Sequence, residues 1–332
     1  MSVQQAFLEG GTVVKTKKVE QGTLLVLLLM AVIYPFLSGR YMLSVGISVL
    51  LMALLGQSWN IMSGYGGQFS FGHAAFFGLG AYASSILYMD HGVSPWIGMI
   101  AGMVVAALVG VLIGFLSFRY KLRGDFFALV TLAFAEILRV LFNNTKALKA
   151  ATGILIPYKD VWSEFQFAND RIFYFILLAM VIAATIFIGA MSRRKFGVCL
   201  IAIKENQEAA GSLGVPVLKY KLLAIAISAA IAAMAGTFYA QYYGFIDPTV
   251  VFSAAISVEA IVPCIIGGAG TLGGPLLGAL IIVPLQELSN NLFEGVNGVN
   301  MIIYGVLIVL FVVFCRDGIY GTVIRRLKGA RS

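Results

Sequence analysis

Charged side chains are scarce in this sequence, at 11% of 332 residues, whereas soluble domains carry roughly 25%. Hydrophobic residues make up 60%, which leaves too little polar surface to cover a water-soluble body of this size. Lipid must therefore replace water over most of the surface. A separate soluble catalytic domain is excluded on length, because about ten spanning helices of about 20 residues each take up about 200 residues.

Histidine and cysteine are also rare. The two histidines are His73 and His91, and the three cysteines, Cys199, Cys264 and Cys315, lie far apart. An odd number of isolated cysteines implies no disulfide framework, and the spacing fits no structural zinc site. No nucleophile-and-base pairing is visible, and the sequence has no G-x-x-x-x-G-K-[ST] phosphate loop. We therefore predict no catalytic residues, no metal site and no cofactor.

Long apolar runs dominate what is present. They do not alternate apolar and polar residues as the strands of a membrane β-barrel do, so we interpret them as helices. The predicted fold is an all-α polytopic membrane protein with about ten transmembrane helices, some of them short or broken. The runs cover roughly 23–38, 41–62, 69–89, 95–118, 126–142, 172–191, 221–243, 252–268, 275–289 and 299–315.

The basic residues predict the orientation in the membrane. Most of the 23 lysines and arginines fall in four segments, 1–22, 118–124, 192–221 and 316–332, and such residues collect on the cytoplasmic side. We therefore predict cytoplasmic tails at 1–22 and 316–332, a transmembrane domain at 23–315 and a cytoplasmic loop at 192–221. We therefore attribute the net charge of +8 to orientation in the lipid bilayer. No nucleic-acid partner is expected.

A first glycine-rich segment follows the second run. Six glycines lie between 64 and 80, and each lowers helix stability by roughly 1 kcal/mol relative to alanine, so we expect a broken backbone. One interpretation is a tight helix crossing with locally satisfied polar groups; the other is part of a solute pathway. The predicted pathway residues here are Gly66, Gly67, Gln68, Phe69, Ser70, Gly72 and His73.

A second glycine-rich segment runs from 267 to 275, between two short apolar runs. It lacks the lysine and hydroxyl ending of a phosphate loop, so we interpret it as a broken helix or tight hairpin at the inner end of the pathway. The predicted pathway residues here are Gly267, Gly268, Gly270, Thr271 and Gly273.

The cytoplasmic loop contains a pattern typical of a short surface helix across 204–213. Gly214 suits the left-handed stop after a helix, and Pro216 cannot continue it. One interpretation is a basic loop lying on anionic lipid; the other is a docking helix for a partner. The predicted contact residues are Glu205, Glu208, Ala209, Ala210, Gly211, Leu213 and Gly214.

Besides Lys221, the first residue of the run 221–243, four charged residues fall within the apolar runs. Glu136 and Arg139 are three residues apart, hence on one helical face, and we predict an intramembrane ion pair. Glu259 and Glu287 have no charged neighbour in sequence, and the sequence leaves both roles open.

Several motifs carry a family resemblance. Residues 208–215, with Glu-Ala-Ala and then Leu-Gly-Val, resemble the coupling loop of permease subunits in bacterial ATP-binding-cassette importers. The stretch 67–82 resembles the branched-chain amino acid permease family, in particular its LivM-type member. The stretches at 123–132 and 267–275 match the same family, and the resemblance covers about 40–315.

The resemblance implies an assembly and a cargo. The expected partners are a second related permease subunit, two ATPase subunits and a periplasmic or extracellular solute-binding protein. The expected location is the bacterial inner membrane, and the expected substrates are leucine, isoleucine and valine. Related permeases leave urea, short amides and other amino acids open. An ion-coupled secondary transporter is the main alternative, and a membrane enzyme lacks the convergent groups that catalysis needs.

Overall fold

The computed structural model describes residues 29–120, 122, 124–292, 305–306 and 318–319. The predicted tail at 1–22, the beginning of the run at 23–38, and most of the run at 299–315 and of the tail at 316–332 lie outside these residues.

Helices account for most of the described chain, as the apolar runs predict. They are α1 (29–37), α2 (Arg40–Trp59), α3 (His73–His91), α4 (Pro95–Arg119), α5 (Asp125–Asn144), α6 (Asp170–Arg193), α7 (Lys195–Glu205), α8 (Gln207–Ser212), α9 (Val217–Tyr243), α10 (Pro248–Val251), α11 (Ala254–Gly267) and α12 (Gly274–Leu292). The remaining elements are a π-helical turn (Asn60–Tyr65), 3-10 turns (Lys146–Leu148, Ala150–Thr152, Trp162–Glu164) and a two-residue antiparallel pair, β1 (Ile154–Leu155) with β2 (Phe245–Ile246).

Five helical segments in the described chain are long and apolar enough to cross a membrane. The all-α membrane architecture is therefore confirmed, while the count of about ten spans is not reached by these residues. Among the other predicted runs, α5 carries Asp125, Glu136 and Arg139, and α3 begins only at His73 because the chain before it is irregular. The five segments are Arg40–Tyr65, Pro95–Arg119, Asp170–Arg193, Val217–Tyr243 and Pro248–Gly267.

Small residues bring α3, α4 and α9 into close contact. A Cβ atom added to Gly236 would lie 1.9 Å from the carbonyl oxygen of Phe77, and one added to Gly80 would lie 2.1 Å from that of Ala233. Such contacts let backbones approach where lipid supplies no hydrophobic drive between helices. Any larger side chain at these two positions must push the helices apart.

The helix α2 lies at the centre of a second group with α6, α9, α11 and α12. The last two form a tight antiparallel hairpin, since a Cβ atom on Gly267 would lie 1.7 Å from the carbonyl oxygen of Gly274. The Cys264 thiol donates to the carbonyl oxygen of Gly56 across 2.9 Å, which joins α11 to α2. The second glycine-rich segment is thus the turn of a helical hairpin, as one of its two interpretations predicted.

The stretch at 144–170 is folded against the helix ends. The rings of Trp96 and Phe165 stack with centroids 4.1 Å apart, and the Trp96 indole donates to the carbonyl oxygen of Trp162 across 2.9 Å. The Gln166 amide donates to the carbonyl oxygen of Gln241 across 3.0 Å. This stretch therefore forms an ordered cover over the start of α4 and the end of α9.

Candidate functional site

The helical backbone that continues from α2 is broken at the first glycine-rich segment. The α-helix passes into the π-helical turn Asn60–Tyr65, and regular structure resumes only at His73. Gly67 has φ +65°, a conformation that costs a residue with a Cβ atom roughly 1 kcal/mol or more. Local hydrogen bonds satisfy the loosened backbone, including one from the Ser63 hydroxyl to the carbonyl oxygen of Gln68 at 2.8 Å. The glycines therefore mark a structured break in the helix.

Asn60 joins the two glycine-rich segments. Its side-chain amide donates to the carbonyl oxygen of Thr271 across 2.8 Å, and its side-chain oxygen accepts from the Gly270 N–H across 2.7 Å. A Cβ atom on Gly64 would lie 2.6 Å from the Gly270 nitrogen, so the backbones touch. Asn60 itself is buried. Residues more than 200 positions apart in sequence thus form one junction, which we call the glycine junction (Asn60, Gly64, Gly67, Gly270, Thr271).

Lys204, on the last turn of α7, reaches the same junction. Its ammonium group donates to the carbonyl oxygen of Gly64 across 2.9 Å. Its aliphatic stem lies against Gly67, where an added Cβ atom would come within 2.8 Å of the Lys204 Cγ. The glycines thus make room for the lysine stem, and the lysine charge satisfies a carbonyl group that the broken helix leaves free.

The second half of the first segment is bonded to neighbouring helices. The Phe71 N–H donates to the Thr131 hydroxyl at 3.1 Å. The Ser228 hydroxyl donates to the carbonyl oxygen of Ser58 at 2.7 Å, so the His73 Nε2–H must be the donor in its 2.9 Å bond to Ser228. His73 is completely buried. This geometry is that of a tight helix crossing, which was one of the two interpretations of the sequence. Its polar groups are only partly satisfied, since the buried His73 Nδ1 has no hydrogen-bond partner among the described residues.

The predicted pathway residues therefore divide into two sets. Ser70, Gly72 and His73 lie inside the protein, where Gly72 lies against Thr131 of α5 and His73 bonds to Ser228 of α9. Gly66 is buried, Gly67 is exposed, and Gln68 and Phe69 are half-buried. The members of the second segment meet the first at the glycine junction, where Gly270 and Thr271 are half-buried while Gly267, Gly268 and Gly273 are buried.

The predicted surface helix in the cytoplasmic loop is wrong in its bounds. Instead of one helix across 204–213, α7 ends at Glu205 and α8 begins at Gln207. Asn206 between them is extended, and its side-chain oxygen accepts from the N–H groups of Glu208 and Ala209, each at 3.0 Å. An asparagine in this position caps a helix and stabilises it by about 1 kcal/mol. The capping hydrogen bonds of Asn206 are more favourable than the backbone hydrogen bonds of one continuous helix through this residue.

The predicted end of this segment at Gly214 agrees with the structure. Gly214 has φ +83°, and the Val215 N–H donates to the carbonyl oxygen of Ala210 at 3.1 Å, as in a helix stop. Ala210 is buried, whereas Leu213 is 85% exposed. The other exposed residues predicted as contacts are Glu205, Glu208, Ala209, Gly211 and Gly214. These six exposed residues (205, 208, 209, 211, 213, 214) form a surface that we call the α8 face.

The α8 face rests on α7 and α9. The buried Lys221 of α9 donates to the Gln207 side chain, and its ammonium group lies 5.0 Å from the centre of the Phe118 ring. The rings of Phe196 and Tyr220 are 5.6 Å apart and join α7 to α9. With α7 fixed in this way and Lys204 at its end, α8 is attached to the glycine junction through two residues, Lys204 and Asn206.

Glu136 and Arg139 of α5 form an ion pair. The Arg139 Nε donates to the Glu136 carboxylate at 2.9 Å, and a second guanidinium nitrogen donates to its other oxygen. Both side chains are partly exposed, at 34% and 53%. The pair therefore lies on an outer face of α5, and it does not join α5 to another helix.

A cavity of about 760 Å³ lies between α1, α2, α6 and α12. Its wall is almost entirely apolar, and Thr185 and Arg193 are among its few polar residues. A charged or zwitterionic solute needs polar partners when it leaves water. This cavity therefore does not have the chemistry of a site for such a solute.

Asn60, Lys204 and Asn206 were missed by reasoning from the sequence. A signal existed for Asn60, the one asparagine within the apolar run 41–62, and for Asn206, which stands before an acidic helical turn. Nothing in the sequence places Lys204 against Gly64, because that contact joins residues 140 positions apart.

Known proteins similar to this chain are permeases. The family profile described as "Branched-chain amino acid transport system / permease component" matches residues 41–312. The chain is 32% identical to the high-affinity branched-chain amino acid transport system permease protein LivM of Salmonella typhimurium and to that of Escherichia coli, over 89% of this chain and 74% of each relative. It is 24% identical to LivH of Salmonella typhimurium, over 72% of this chain and 81% of that protein. No solved structure matches it.

Proposed function

This chain belongs to the family of permease components of branched-chain amino acid transport systems, and we propose that it carries leucine, isoleucine and valine inward across a bacterial cytoplasmic membrane. The permease role follows from the family. The direction, the substrates and the location with both termini in the cytoplasm are the parts we propose. The basic loop at 192–221 supports this orientation.

We propose that the chain works in an assembly with a second related permease, two ATPase subunits and an external solute-binding protein. The chain has no phosphate loop of its own, so the energy of ATP must come from partners. Its similarity to both LivM and LivH supports pairing between two related permeases. About ten spans in total are proposed for this chain, with the run at 299–315 as the last.

The observation that carries this proposal is the contact between Lys204 and Gly64. The α8 face is the proposed contact with an ATPase, since its exposed small residues allow close approach and Glu208 offers a charge. Movement of α8 passes through the Asn206 cap to the end of α7, where Lys204 holds the glycine junction. In this proposal the packed junction has two arrangements, so a small displacement of α8 becomes a discrete rearrangement.

We propose that the glycine junction is the inner end of the solute pathway. Its broken helices place backbone groups where lipid-exposed backbone is excluded, as in transporters with discontinuous helices. Residues 66–69 and 267–271 line this end in the proposal, while Ser70, Gly72 and His73 hold the crossing behind it. Opening requires the Asn60 bonds to Gly270 and Thr271 to break or shift.

The test is solute uptake by the purified four-part assembly in vesicles, driven by internal ATP and supplied with loaded binding protein. We expect uptake of leucine, isoleucine and valine that depends on all components. Uptake without the ATPases, driven by an ion gradient, would show a secondary transporter instead. Uptake of urea or short amides with no amino acid uptake would contradict the proposed substrates.

A further inference from the structure

Lys221 is a buried cation near the start of α9, beside the α8 face. The residue is only 3% exposed, and burying an ammonium group is costly unless protein groups replace the water that it loses. Two such groups come from different helices. The Gln207 side chain on the first turn of α8 accepts a hydrogen bond from the ammonium group, and the Phe118 ring near the end of α4 lies 5.0 Å from it. Lys221 of α9 therefore joins α8 to α4 through one side chain.

The Phe118 ring continues this connection into α5. The fully buried Phe127 ring stacks on it, with the two centroids 5.0 Å apart and the planes 18° apart. Rings at this separation attract each other, and a cation within about 6 Å of a ring centre is attracted to its face. The cation and the two rings thus form one continuous contact from α8 to the first turn of α5. We call these residues the lysine–ring bridge (Gln207, Lys221, Phe118, Phe127).

One turn further along α5, Thr131 contacts the first glycine-rich segment. Thr131 lies four residues after Phe127, so the two side chains share a face of the helix. The Thr131 hydroxyl accepts from the Phe71 N–H at 3.1 Å. A Cβ atom on Gly72 would lie 2.7 Å from the Thr131 carbonyl oxygen, so the two backbones touch. The helix that ends the lysine–ring bridge is therefore in direct contact with the end of the irregular stretch 66–72.

The stretch 66–72 is thus held at both ends. Lys204 bonds to Gly64 just before it, whereas Thr131 bonds to Phe71 near its other end. The first contact leads back to α8 through the end of α7, and the second leads back through α5 and the lysine–ring bridge. The two routes share no side chain, so each can be broken without breaking the other.

We propose that Lys221 is a positioning residue, which transmits the movement of α8 to the 71–72 end of this stretch while Lys204 transmits it to the 64–67 end. This rests on the proposed function, in which α8 meets an ATPase, and goes beyond it. A glycine-rich stretch held at one end can bend and absorb the displacement, because glycine backbone is conformationally permissive. Held at both ends, it must move as a unit. Both routes are therefore needed to open the inner end of the pathway.

The first test is the uptake of leucine per ATP hydrolysed by the complete transporter in vesicles, with Lys221→Met and Phe118→Leu. Methionine keeps the apolar stem and removes the cation, while leucine keeps an apolar contact and removes the ring. We expect uptake per ATP to fall about fivefold or more in each, in keeping with the loss of a desolvated cation–ring contact. ATPase activity stimulated by loaded binding protein should continue, since the α8 face is unchanged. A merely structural role would lower the amount of folded protein and leave uptake per ATP unchanged.

Matched controls lie close to both positions. Lys219→Met removes an exposed lysine two residues before Lys221, and Phe115→Leu removes a 45% exposed ring one turn before Phe118. Both variants should match the wild type. Phe118→Tyr keeps the ring and should retain more uptake per ATP than Phe118→Leu. Equal losses in Phe118→Tyr and Phe118→Leu would contradict a role for the ring.

The double variant Lys204→Met with Lys221→Met tests whether both ends must be held. Losing either end already lets the stretch absorb the displacement, so uptake per ATP should be no lower than in the poorer single variant. If the two losses multiply instead, the routes act independently and the proposal that the stretch moves as a unit is wrong.

Hydrogen exchange shows where the movement goes and includes a comparison that needs no variant. In the wild-type assembly, a non-hydrolysable ATP analogue should change exchange at 64–67 and at 125–131 together, because α8 moves both. In Phe118→Leu the change at 125–131 should vanish while the change at 64–67 persists through Lys204. No change at 125–131 in the wild type, or one that persists in Phe118→Leu, would overturn the lysine–ring bridge as a route.

The outcomes separate this proposal from the proposed function. If the wild-type assembly takes up leucine with ATP, and Lys221→Met and Phe118→Leu both match its uptake per ATP, the lysine–ring bridge transmits nothing and the proposed function stands. If the wild-type chain takes up leucine without the ATPases, driven by an ion gradient, the proposed function is wrong and the role of Lys221 falls with it.

Discussion

The Lys204 ammonium group donates a 2.9 Å hydrogen bond to the carbonyl oxygen of Gly64. Lys204 lies on the last turn of α7, and Gly64 lies in the π-helical turn that follows α2. The bond joins the loop proposed to meet an ATPase to the glycine junction proposed as the inner end of the pathway. The mechanical account of this permease depends on that link.

Gly214 provides a test of the α8 face by backbone strain alone. A Cβ atom there would meet nothing within 4 Å, but its φ of +83° disfavours β-branched residues, so Gly214→Val should cost roughly 1–2 kcal/mol locally. We expect the variant permease to insert normally and to lose co-purifying ATPase. Gly214→Asn is the control, since asparagine tolerates this conformation. Normal ATPase binding by Gly214→Val would mean that the shape of this loop does not matter.

Asn60 should be essential to the stability of the glycine junction. Asn60→Leu leaves the Gly270 N–H and the Thr271 carbonyl group without their partner, at a cost of about 1–3 kcal/mol for each buried group. We expect a lower midpoint of thermal unfolding in detergent. Asn144→Ala, which removes an exposed amide bonded only within its own helix, is the control. Equal midpoints for the two variants would contradict the role of Asn60.

The pair of Glu136 and Arg139 predicts a compensating double substitution. Neutralising one residue leaves the other charge without its partner on the outer face of α5, which is unfavourable wherever that face meets lipid. We expect less folded protein from Glu136→Gln or Arg139→Gln alone than from the two together. Size-exclusion chromatography of detergent extracts measures the folded amount. A double variant as poor as either single variant would show that the two residues do not compensate each other.

The cover at 144–170 should respond to acid through Glu164. A hydrogen bond from the Tyr88 hydroxyl, followed by one from Lys159, lowers the pKa of the Glu164 carboxyl below its ordinary value. The stabilisation is therefore fully present above the unfolded pKa of about 4.3 and is lost as the pH falls through the lower folded pKa. Hydrogen exchange of 159–165 should accelerate over this acid range. In Glu164→Gln that acceleration should vanish, and its persistence would exclude Glu164 as the cause.

The helices could be predicted from the sequence because long apolar runs have few alternatives in lipid. The predicted run 95–118 became α4, Pro95–Arg119, almost without change. The start of α3 was misplaced, because apolar character continues from 69 to 72 while the backbone does not remain helical. An apolar composition indicates that a segment lies in lipid, but it does not show at which residue the helix begins.

The contacts of the candidate site could not be predicted, because they join distant residues. The glycine content of both segments indicated breaks, and both breaks exist. Their union through Asn60, and the approach of Lys204, depend on how α2, α7 and the hairpin of α11 and α12 pack.

The most direct test of this account is the number of solute molecules taken up per ATP hydrolysed in Lys204→Met, measured in the reconstituted transporter. Methionine keeps the stem against Gly67 and removes the bond to Gly64. We predict that ATPase activity stimulated by loaded binding protein continues while uptake per ATP falls about tenfold, the value of a lost hydrogen bond from a charged donor. Lys219→Met, which removes an exposed charge from the same loop, should match the wild type. Unchanged uptake per ATP in Lys204→Met would contradict the claim that this contact transmits the stroke.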